Sequence, residues 1–350
     1  MSRLQVLAPG VMSTVQDAGR RGWRRAGVPW SGALDADLLA LANALVGNEL
    51  AGPAIECVDG GLKLEAQAGP VMLSIAGEAR VERIDADGAI SPLAPWRSHA
   101  LAPGEQLRVK DTGATRVCLI GVAGLALAPV LGSCATYARA RLGGLDGRPL
   151  ATGDRLPAAE ADGPVRTLAS PPAPSTTPIR VVRGPQSDHF SDAVLERFVA
   201  QAWQVSPEAD RMGLRLAGEA LHHVDAAHRE IVSDAIVPGA IQVPGNGLPI
   251  VLLADSQTAG GYPKIATVIS ADLGRIGTCR PGTPVRFAWV SVAAAIEAAR
   301  AAAARRTEWI DAIRTLGSDS GVDLAALYGN NLLSGMVDAL HAEDPPEADP

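Results

Sequence analysis

Lys264 is the residue most suited to chemistry in this sequence, because the chain contains only three lysines. The other two are Lys63 and Lys110, and all remaining cationic side chains apart from histidine are arginine. A lysine amine is a compact charge whose pKa changes on burial, a property that arginine lacks. Gly260, Gly261 and Tyr262 precede it, and glycines let the backbone approach a ligand closely. Lys264 is therefore a candidate catalytic group; the alternative is a tight glycine turn with a solvated lysine.

Polar residues occur on both sides of the apolar run 248–253, which is typical of a buried strand. Gln242 precedes this run, and Gln257 and Thr258 follow it on the way to Lys264. The two polar segments lie at opposite ends of one strand or are brought together by its neighbours. The sequence leaves both arrangements open.

Residues 14–22 and 27–35 combine glycine turns with polar side chains. The candidate binding residues in this part of the chain are Gln16, Asp17, Arg20, Ser31 and Asp35. Such a loop offers backbone N–H groups and an arginine to an anionic ligand. The alternative is a hairpin loop followed by a helix, with Ser31 or Asp35 as the capping residue.

The adjacent pair Asp210 and Arg211 allows two interpretations. It is either a local ion pair, which contributes little when exposed, or a clamp for a ligand. The alternation that follows in residues 214–216 is typical of an ordinary strand and favours a structural role.

The overall composition predicts a packed globular protein, with 47% hydrophobic and 20% charged residues in a chain of 350. A net charge of -7 argues against broad binding to nucleic acid or anionic membranes. The four cysteines show no C-x-x-C spacing, and His222, His223 and His228 do not have the spacing of a helical ligand pair, so no metal site is predicted. We expect reduced core cysteines in a cytoplasmic protein without a secretory signal.

Many short apolar runs bounded by Gly, Pro or Asp predict a mainly β fold with a few helices. One helix is expected from Asp35 to Leu45, where apolar residues recur at helical spacing. A Pro-, Ala-, Ser- and Thr-rich segment separates two strand-rich parts. The predicted organisation is a β-barrel-like half at 1–156, a linker or long loop at 157–178, a second half at 179–290, a helical extension at 291–341 and a disordered tail at 342–350.

Six motifs, in order along the chain, resemble one family. They are Val15-Gln16-Asp17-Ala18-Gly19-Arg20, Gly27-Val28-Pro29 through Ser31-Gly32-Ala33 and Asp35, Ala42-Asn43 with Val46-Gly47-Asn48, Asp210-Arg211-Met212-Gly213, Gly239-Ala240-Ile241-Gln242-Val243-Pro244, and Gln257-Thr258 with Gly260-Gly261-Tyr262-Pro263-Lys264. The family is the biotin-dependent carboxyltransferase-like family. It includes the C subunit of 5-oxoprolinase, the Kip-type kinase-inhibitor antagonist and the second half of the carboxyltransferase region of urea carboxylase. The similarity extends from about Leu4 to Phe287.

This resemblance implies two cyclophilin-like β-barrel halves and a separately encoded partner that is like the B subunit of 5-oxoprolinase. For most stand-alone bacterial members it implies ATP-dependent opening of 5-oxo-L-proline to L-glutamate, together with the A and B subunits. ATP, with its Mg2+, is expected to be shared with the partner subunit. Covalently attached biotin is not expected, because no lysine lies between methionines.

Phosphorylation of a lactam oxygen requires cations and fixed hydrogen-bond donors. For this implied reaction the candidate catalytic residues are Lys264, Asp210, Arg211 and Tyr262. The candidate substrate-binding residues are Gln16, Asp17, Arg20, Ser31, Asp35, Asn43, Gln242, Gln257, Thr258, Gly260 and Gly261. The cationic candidates are Lys264, Arg211 and Arg20, and Asp17 or Asp210 could orient these cations or act as a base.

Two other functions are compatible with the same motifs. The chain could be part of a true carboxyltransferase that moves carboxylate from carboxybiotin to urea or another amide. It could also be a non-enzymatic regulator that binds a kinase inhibitor.

Overall fold

The computed structural model describes residues 2–316 and confirms a mainly β fold with a few helices. The N-terminal part forms the following strands: β1 Arg3–Pro9, β2 Met12–Gln16, β3 Ala54–Val58, β4 Leu62–Gln67, β5 Val71–Ala76, β6 Arg80–Ile84, β7 Ile90–Leu93, β8 Arg97–Leu101, β9 Gln106–Asp111, β10 Val117–Val122, β11 Arg155–Pro157 and β12 Arg166–Thr167. They form two sheets, in the orders β11-β1-β4-β9-β6-β7 and β2-β3-β10-β5-β8-β12.

Alternating side chains explain how these two sheets pack. In β4, Leu62, Leu64 and Ala66 are fully buried, whereas the residues between them are partly exposed. This period of two places one face of the strand against the core and the other towards solvent. Every residue of β10 is buried, which fits a strand covered on both faces.

Helix α1, Ala36–Val46, covers the outer face of the second sheet. Asp35 caps the helix by accepting hydrogen bonds from the N–H groups of Asp37 at 2.8 Å and Leu38 at 3.1 Å. The helix ends at Gly47, whose φ of 77° is readily adopted by glycine. Of the two predicted capping residues, Asp35 is confirmed, and Ser31 lies outside the cap.

The C-terminal part forms one eight-stranded sheet and a two-stranded ladder. Its strands are β13 Ile179–Arg183, β14 Trp203–Val205, β15 Gly213–Ala217, β16 Asp234–Ala235, β17 Ala240–Gln242, β18 Ile250–Leu252, β19 Ala259–Gly260, β20 Lys264–Val268, β21 Pro284–Val285 and β22 Phe287–Trp289, with helices α2 Asp192–Ala200 and α3 Leu273–Gly277. The sheet order is β21-β14-β15-β18-β17-β20-β13-β22, and β16 pairs with β19. An aromatic group fills the core, where Phe198 stacks on Phe287 at 4.8 Å.

The chain then returns to its N-terminal part. Helix α4, Val292–Asp311, is followed by β23, Arg314–Thr315, which pairs with β12 and extends the second sheet. Trp309 and Ile310 pack against the apolar cluster under α1, and Arg306 forms an ion pair with Asp37. The predicted helical extension thus contains a helix and then a strand, and its part from residue 317 on, like the predicted tail, lies outside the described residues.

The predicted domain boundaries stay predictions, although the segment predicted as a linker contains β12. Cys57, Cys118 and Cys134 are free and buried, as expected of core cysteines. No helix within residues 2–316 is long and apolar enough to cross a membrane.

The ionisation of Asp35 makes the stability of the protein depend on pH, which tests its role as the cap of α1. Burial, with the nearby Asp37 carboxylate, raises the pKa of Asp35 to about 6. This folded-state pKa lies above the value of about 3.9 in an unfolded chain, so stability falls as the pH rises through the window between the two. Asparagine caps helices as well as aspartate does. We expect Asp35→Asn to be more stable than the wild type at pH 7, by on the order of 1 kcal/mol, and the difference to vanish towards pH 4. Thermal denaturation across this range tests the prediction, and a difference that is independent of pH would contradict it.

Candidate functional site

Two groups of polar side chains stand out in the structure. One group surrounds Lys264 and is called the Lys264 cluster below; it consists of Lys264, Asp234, Gln186, Gln242 and Gln257. The other group lies where the N-terminal part meets the C-terminal part, around Arg211. The segment 254–258 connects the two groups along the chain.

Lys264 begins β20, and its side chain is only 3% exposed, so the alternative of a solvated lysine is wrong. Its Nζ lies 2.7 Å from Oδ2 of Asp234, a residue on the exposed ladder strand β16. The hydrogen bond from Lys264 holds the pKa of the Asp234 carboxyl below its usual range. Gln186 accepts a hydrogen bond from the Lys264 backbone N–H at 3.2 Å and donates to Asp234 at 3.4 Å. A buried amine is therefore held by one carboxylate that reaches in from the surface.

Two glutamine side chains meet beside Gly260. Gln242 is 2% exposed and lies opposite Lys264 in the β17–β20 pairing, so their side chains are neighbours in the sheet. A Cβ atom added at Gly260 would lie 2.9 Å from Nε2 of Gln242 and 3.6 Å from Nε2 of Gln257. Glycine at this position thus leaves room for both carboxamides.

The ladder β16–β19 holds the remaining residues of this group. Asp234 pairs with Gly260, the carbonyl of Thr258 accepts from Ile236 at 3.0 Å, and the carbonyl of Gly261 accepts from Ile231 at 2.8 Å. Tyr262 follows directly and is 41% exposed. The structure therefore brings together Lys264, Gln242, Gln257, Thr258, Gly260, Gly261 and Tyr262.

Arg211 lies at the centre of the second group and is 6% exposed. Its Nε and Nη2 donate to Asp255 at 2.9 and 3.2 Å, its Nη2 donates to the Gly32 carbonyl at 2.6 Å, and its Nη1 pairs with Glu56. Burial opposes the charge, but Asp255 and Glu56 together raise the pKa of the guanidinium above its usual value. Glu56 is fully buried and also accepts from the N–H of Leu34 at 2.7 Å. Arg211 is therefore a link between the two parts of the molecule.

Asp210 does not pair with its neighbour Arg211. Its Oδ1 accepts from the N–H groups of Met212 at 2.8 Å and Gly213 at 3.1 Å, and so fixes the turn before β15. It borders a cleft of about 130 Å³ between the two parts of the molecule. The cleft is lined by Met12, Thr14, Thr136, Ala138, Arg139, Pro149, Asp210, Arg211, Met212 and Asp255.

The predicted binding residues of the first loop hold the segment 130–136 in place. Arg20 is fully buried and donates to the carbonyls of Val130 at 2.9 Å and Ala135 at 2.8 Å. Asp17 accepts from the Ser133 hydroxyl at 2.7 Å and from the Cys134 N–H at 2.6 Å.

Gln16, Ser31 and Asn43 also have intramolecular partners. Gln16 accepts from the Gly32 N–H at 3.1 Å, and Asn43 donates to the Gly52 carbonyl at 2.8 Å. The Ser31 N–H donates to the Ala254 carbonyl at 3.0 Å, across the boundary between the two parts. None of these contacts, nor those of Arg20, Asp17 and Asp35, is made with a residue of the Lys264 cluster.

Five residues that the sequence analysis did not select contribute to these groups: Asp234, Gln186, Glu56, Asp255 and Arg24. Glu56 carries a signal, because it is a lone charge within the apolar strand Ala54–Val58. Asp234 lies on the two-residue strand β16, in a segment between His228 and Gly239 that has no recognisable motif.

Comparison with known proteins agrees with this architecture. The family model of the carboxyltransferase domain, subdomain A and B, matches residues 26–289. The solved urea amidolyase of K. lactis is similar with a TM-score of 0.79 at 27% identity, covering 88% of this chain and 20% of that one. The solved urea carboxylase of Kluyveromyces lactis gives a TM-score of 0.79 at 26% identity, covering 91% and 30%. This chain belongs to the carboxyltransferase family with subdomains A and B, as its motifs predict.

Within this family, two relatives are similar over almost their whole length. The 5-oxoprolinase C subunit of Escherichia coli (strain K12) is 38% identical over an alignment of 305 residues, and the match covers 84% of this chain and 94% of that protein. The 5-oxoprolinase C subunit of Haemophilus influenzae is 35% identical over 307 residues, 87% of this chain and 95% of that protein. The urea amidolyase of Lachancea kluyveri is 30% identical, and the match covers 82% of this chain but 17% of that protein.

Replacement of Arg211 tests the link between the two parts of the molecule. Arg211→Met leaves Glu56 and Asp255 buried without their counter-charge, and we expect a loss of about 3–5 kcal/mol in the free energy of unfolding. Arg215→Met is the control, because Arg215 is 55% exposed and pairs with Glu208, which is 74% exposed. That pair should contribute at most about 1 kcal/mol. Urea denaturation of both variants measures the difference, and similar losses would contradict the structural role of Arg211.

Proposed function

We propose that this chain is the C subunit of an ATP-dependent 5-oxoprolinase, a cytoplasmic enzyme that opens 5-oxo-L-proline to L-glutamate together with the A and B subunits. The identity of 38% to the C subunit of a 5-oxoprolinase over most of both chains supports the proposal. The observation that carries it is the Lys264 cluster, in which a buried amine lies beside carboxamide side chains that can bind an amide.

The proposed reaction begins with an unreactive lactam carbonyl. Transfer of the γ-phosphoryl group from ATP to the lactam oxygen releases ADP and activates the ring carbon. One water adds to this carbon and the ring nitrogen departs, which gives a γ-glutamyl phosphate. A second water releases phosphate and L-glutamate. Negative charge develops on the lactam oxygen and the phosphoryl group in the transition states. Fixed cations and hydrogen-bond donors near these atoms therefore accelerate the reaction.

Lys264 is suited to the lactam oxygen, because its buried amine is held in an ion pair with Asp234. Asp234 and Gln186 hold this amine in position. The carboxamides of Gln242 and Gln257 can donate to the lactam carbonyl and accept from the lactam N–H. Thr258 and Tyr262 provide hydroxyl groups at the same ladder.

Other predicted catalytic and binding residues receive supporting roles in this proposal. Arg211 positions the two parts of the molecule, since its donors already have partners. Arg20 and Asp17 position the segment 130–136 in the same way. Asp210, a candidate base, borders the cleft between the two parts of the molecule, and its carboxylate fixes the turn before β15.

ATP is the second substrate, and Mg2+ bound to it would neutralise the β- and γ-phosphates. Within residues 2–316, no three His, Cys, Asp or Glu side chains are grouped so that they could hold a metal ion. The proposal therefore gives this chain no Mg2+ site of its own and assigns no step of its residues to the ion. The nucleotide is shared with the partner that is like the B subunit.

A second candidate function is transfer of carboxylate from carboxybiotin to urea or another amide. It is favoured by the structural similarity to the urea amidolyase of K. lactis, with a TM-score of 0.79. Urea and a lactam both present an amide carbonyl, which the same lysine and glutamines can bind. Purification with the neighbouring gene products, followed by assays with ATP and 5-oxoproline or with carboxybiotin and urea, distinguishes the two.

Removal of the Lys264 amine tests the main proposal. We expect Lys264→Met to lower the rate of glutamate release by the reconstituted complex at least about 100-fold, because the fixed positive charge at the lactam oxygen is lost. Lys110→Met is the matched control, since Lys110 is 49% exposed and pairs with Glu82 in the N-terminal part. Its rate should equal that of the wild type. Thermal denaturation of the complex verifies folding, and near-normal glutamate release by a folded Lys264→Met variant would remove Lys264 from the mechanism.

A further inference from the structure

Arg24 extends from the N-terminal part to the ladder that carries Asp234 and Gly260. It lies in a single turn of 3₁₀ helix, Arg24–Ala26. Its Nη2 donates to the carbonyls of Ile236 and, at 3.3 Å, Gln257. Its Nη1 is buried and has no hydrogen-bond partner among residues 2–316. One edge of the guanidinium is therefore anchored beside the Lys264 cluster, whereas the other edge has an unused donor.

Two more unpaired donors lie on residues that contact or belong to the segment 254–258. The hydroxyls of Ser31 and Ser256 are buried and have no hydrogen-bond partner within the described part of the chain. The Ser31 N–H donates to the Ala254 carbonyl, and Arg24 donates to the Gln257 carbonyl, so Ser256 lies between these two attachment points. Buried polar groups are nearly always paired, so these unpaired donors on residues that contact or belong to the segment 254–258 require an explanation.

The guanidinium of Arg24 lies 5.4 Å from the centroid of the Trp30 ring, but it has no carboxylate partner within residues 2–316. The guanidinium of Arg211 is paired with Glu56 and Asp255. Burial alone lowers the pKa of Arg24, and no carboxylate contributes to its environment in residues 2–316. A desolvated cation without a counter-charge is unfavourable, and an anion bound there would offset that cost.

We infer that Arg24, with the hydroxyls of Ser31 and Ser256, binds the carboxylate of a lactam acid substrate whose ring lies at the Lys264 cluster. A guanidinium only donates, and a hydroxyl can turn its donor towards the ligand, which suits the two oxygens of a carboxylate. Gln257 connects the two places, because its carbonyl contacts Arg24 and its carboxamide lies beside Gly260. This inference rests on the proposed function and specifies how its substrate is selected. It explains why a lactam with an acidic group would be preferred to a neutral one.

The test uses the reconstituted complex and measures KM for 5-oxoproline, KM for ATP and kcat. We expect Arg24→Gln to raise KM for 5-oxoproline about 10- to 100-fold, with kcat changed only a few-fold, because a charge-assisted hydrogen bond is lost. Arg24→Lys keeps the charge and should give an intermediate KM. Both variants can still donate to the two carbonyls, so a purely structural role of Arg24 predicts equal KM values for the two variants.

Arg25→Gln is the control, because Arg25 is exposed and in the same turn. Its KM values should be those of the wild type.

Ser256→Ala gives a second test that does not depend on folding. The Ser256 hydroxyl makes no hydrogen bond in residues 2–316, so its removal should leave the denaturation midpoint unchanged or higher. The inference nevertheless predicts a several-fold higher KM for 5-oxoproline.

Several results would overturn the inference. Unchanged KM values for 5-oxoproline in Arg24→Gln and Ser256→Ala would show that these donors do not bind the substrate. A rise confined to KM for ATP would show that these donors bind the nucleotide and not the lactam acid. Equal KM values for 5-oxoproline in Arg24→Gln and Arg24→Lys would show that Arg24 acts only through its hydrogen bonds to the two backbone carbonyls. If the wild-type complex showed no ATP hydrolysis dependent on 5-oxoproline, the proposed function would fail and this inference with it.

Discussion

The buried ion group of Arg211, Glu56 and Asp255 is the interaction on which the rest of the structure depends. Removal of three charges from water is costly, and the group is favourable only when all three are in contact. Glu56 belongs to β3 in the N-terminal part, whereas Arg211 and Asp255 belong to the C-terminal part. The relative position of the two parts is thereby restricted to the one that keeps these charges paired.

This constraint extends to the Lys264 cluster through backbone contacts. Arg211 binds the Gly32 carbonyl, and Glu56 binds the Leu34 N–H, so the loop before α1 is fixed against the segment 254–258. The turn that carries Arg24 is then close enough to bind the ladder of β16 and β19. The ladder in turn places Asp234 against the amine of Lys264. A site for an amide thus results from contacts between loops that are far apart in the sequence.

The local parts of this arrangement could be predicted from the sequence. Short apolar runs bounded by Gly, Pro or Asp predict the strands, apolar residues at helical spacing predict α1, and the rarity of lysine points to Lys264. The capping role of Asp35 was one of two alternatives and was decided by its hydrogen bonds to Asp37 and Leu38. These features depend on residues within a few positions of one another.

The partners of the charged residues could not be predicted in the same way. Arg211 pairs with Glu56, 155 positions away, and not with the adjacent Asp210. Arg20 lies in a glycine-rich polar loop typical of anion binding, but its guanidinium donates to backbone carbonyls more than 100 positions away. Asp234 has no motif around it, because its role follows only from the pairing of two very short strands. Such contacts are set by the packing of the whole chain, and no local spacing encodes them.

Hydrogen–deuterium exchange of a Glu56→Gln variant tests most directly whether the ion group joins the two parts and so shapes the site. The account predicts faster exchange in both parts of the molecule together, at the N–H groups of Ser31 and Leu34 and at those of Asp255 and Ser256. Exchange in the strands that do not contact the ion group should be unchanged. Faster exchange confined to the residues around position 56, with protection of the segment 254–258 as in the wild type, would contradict it.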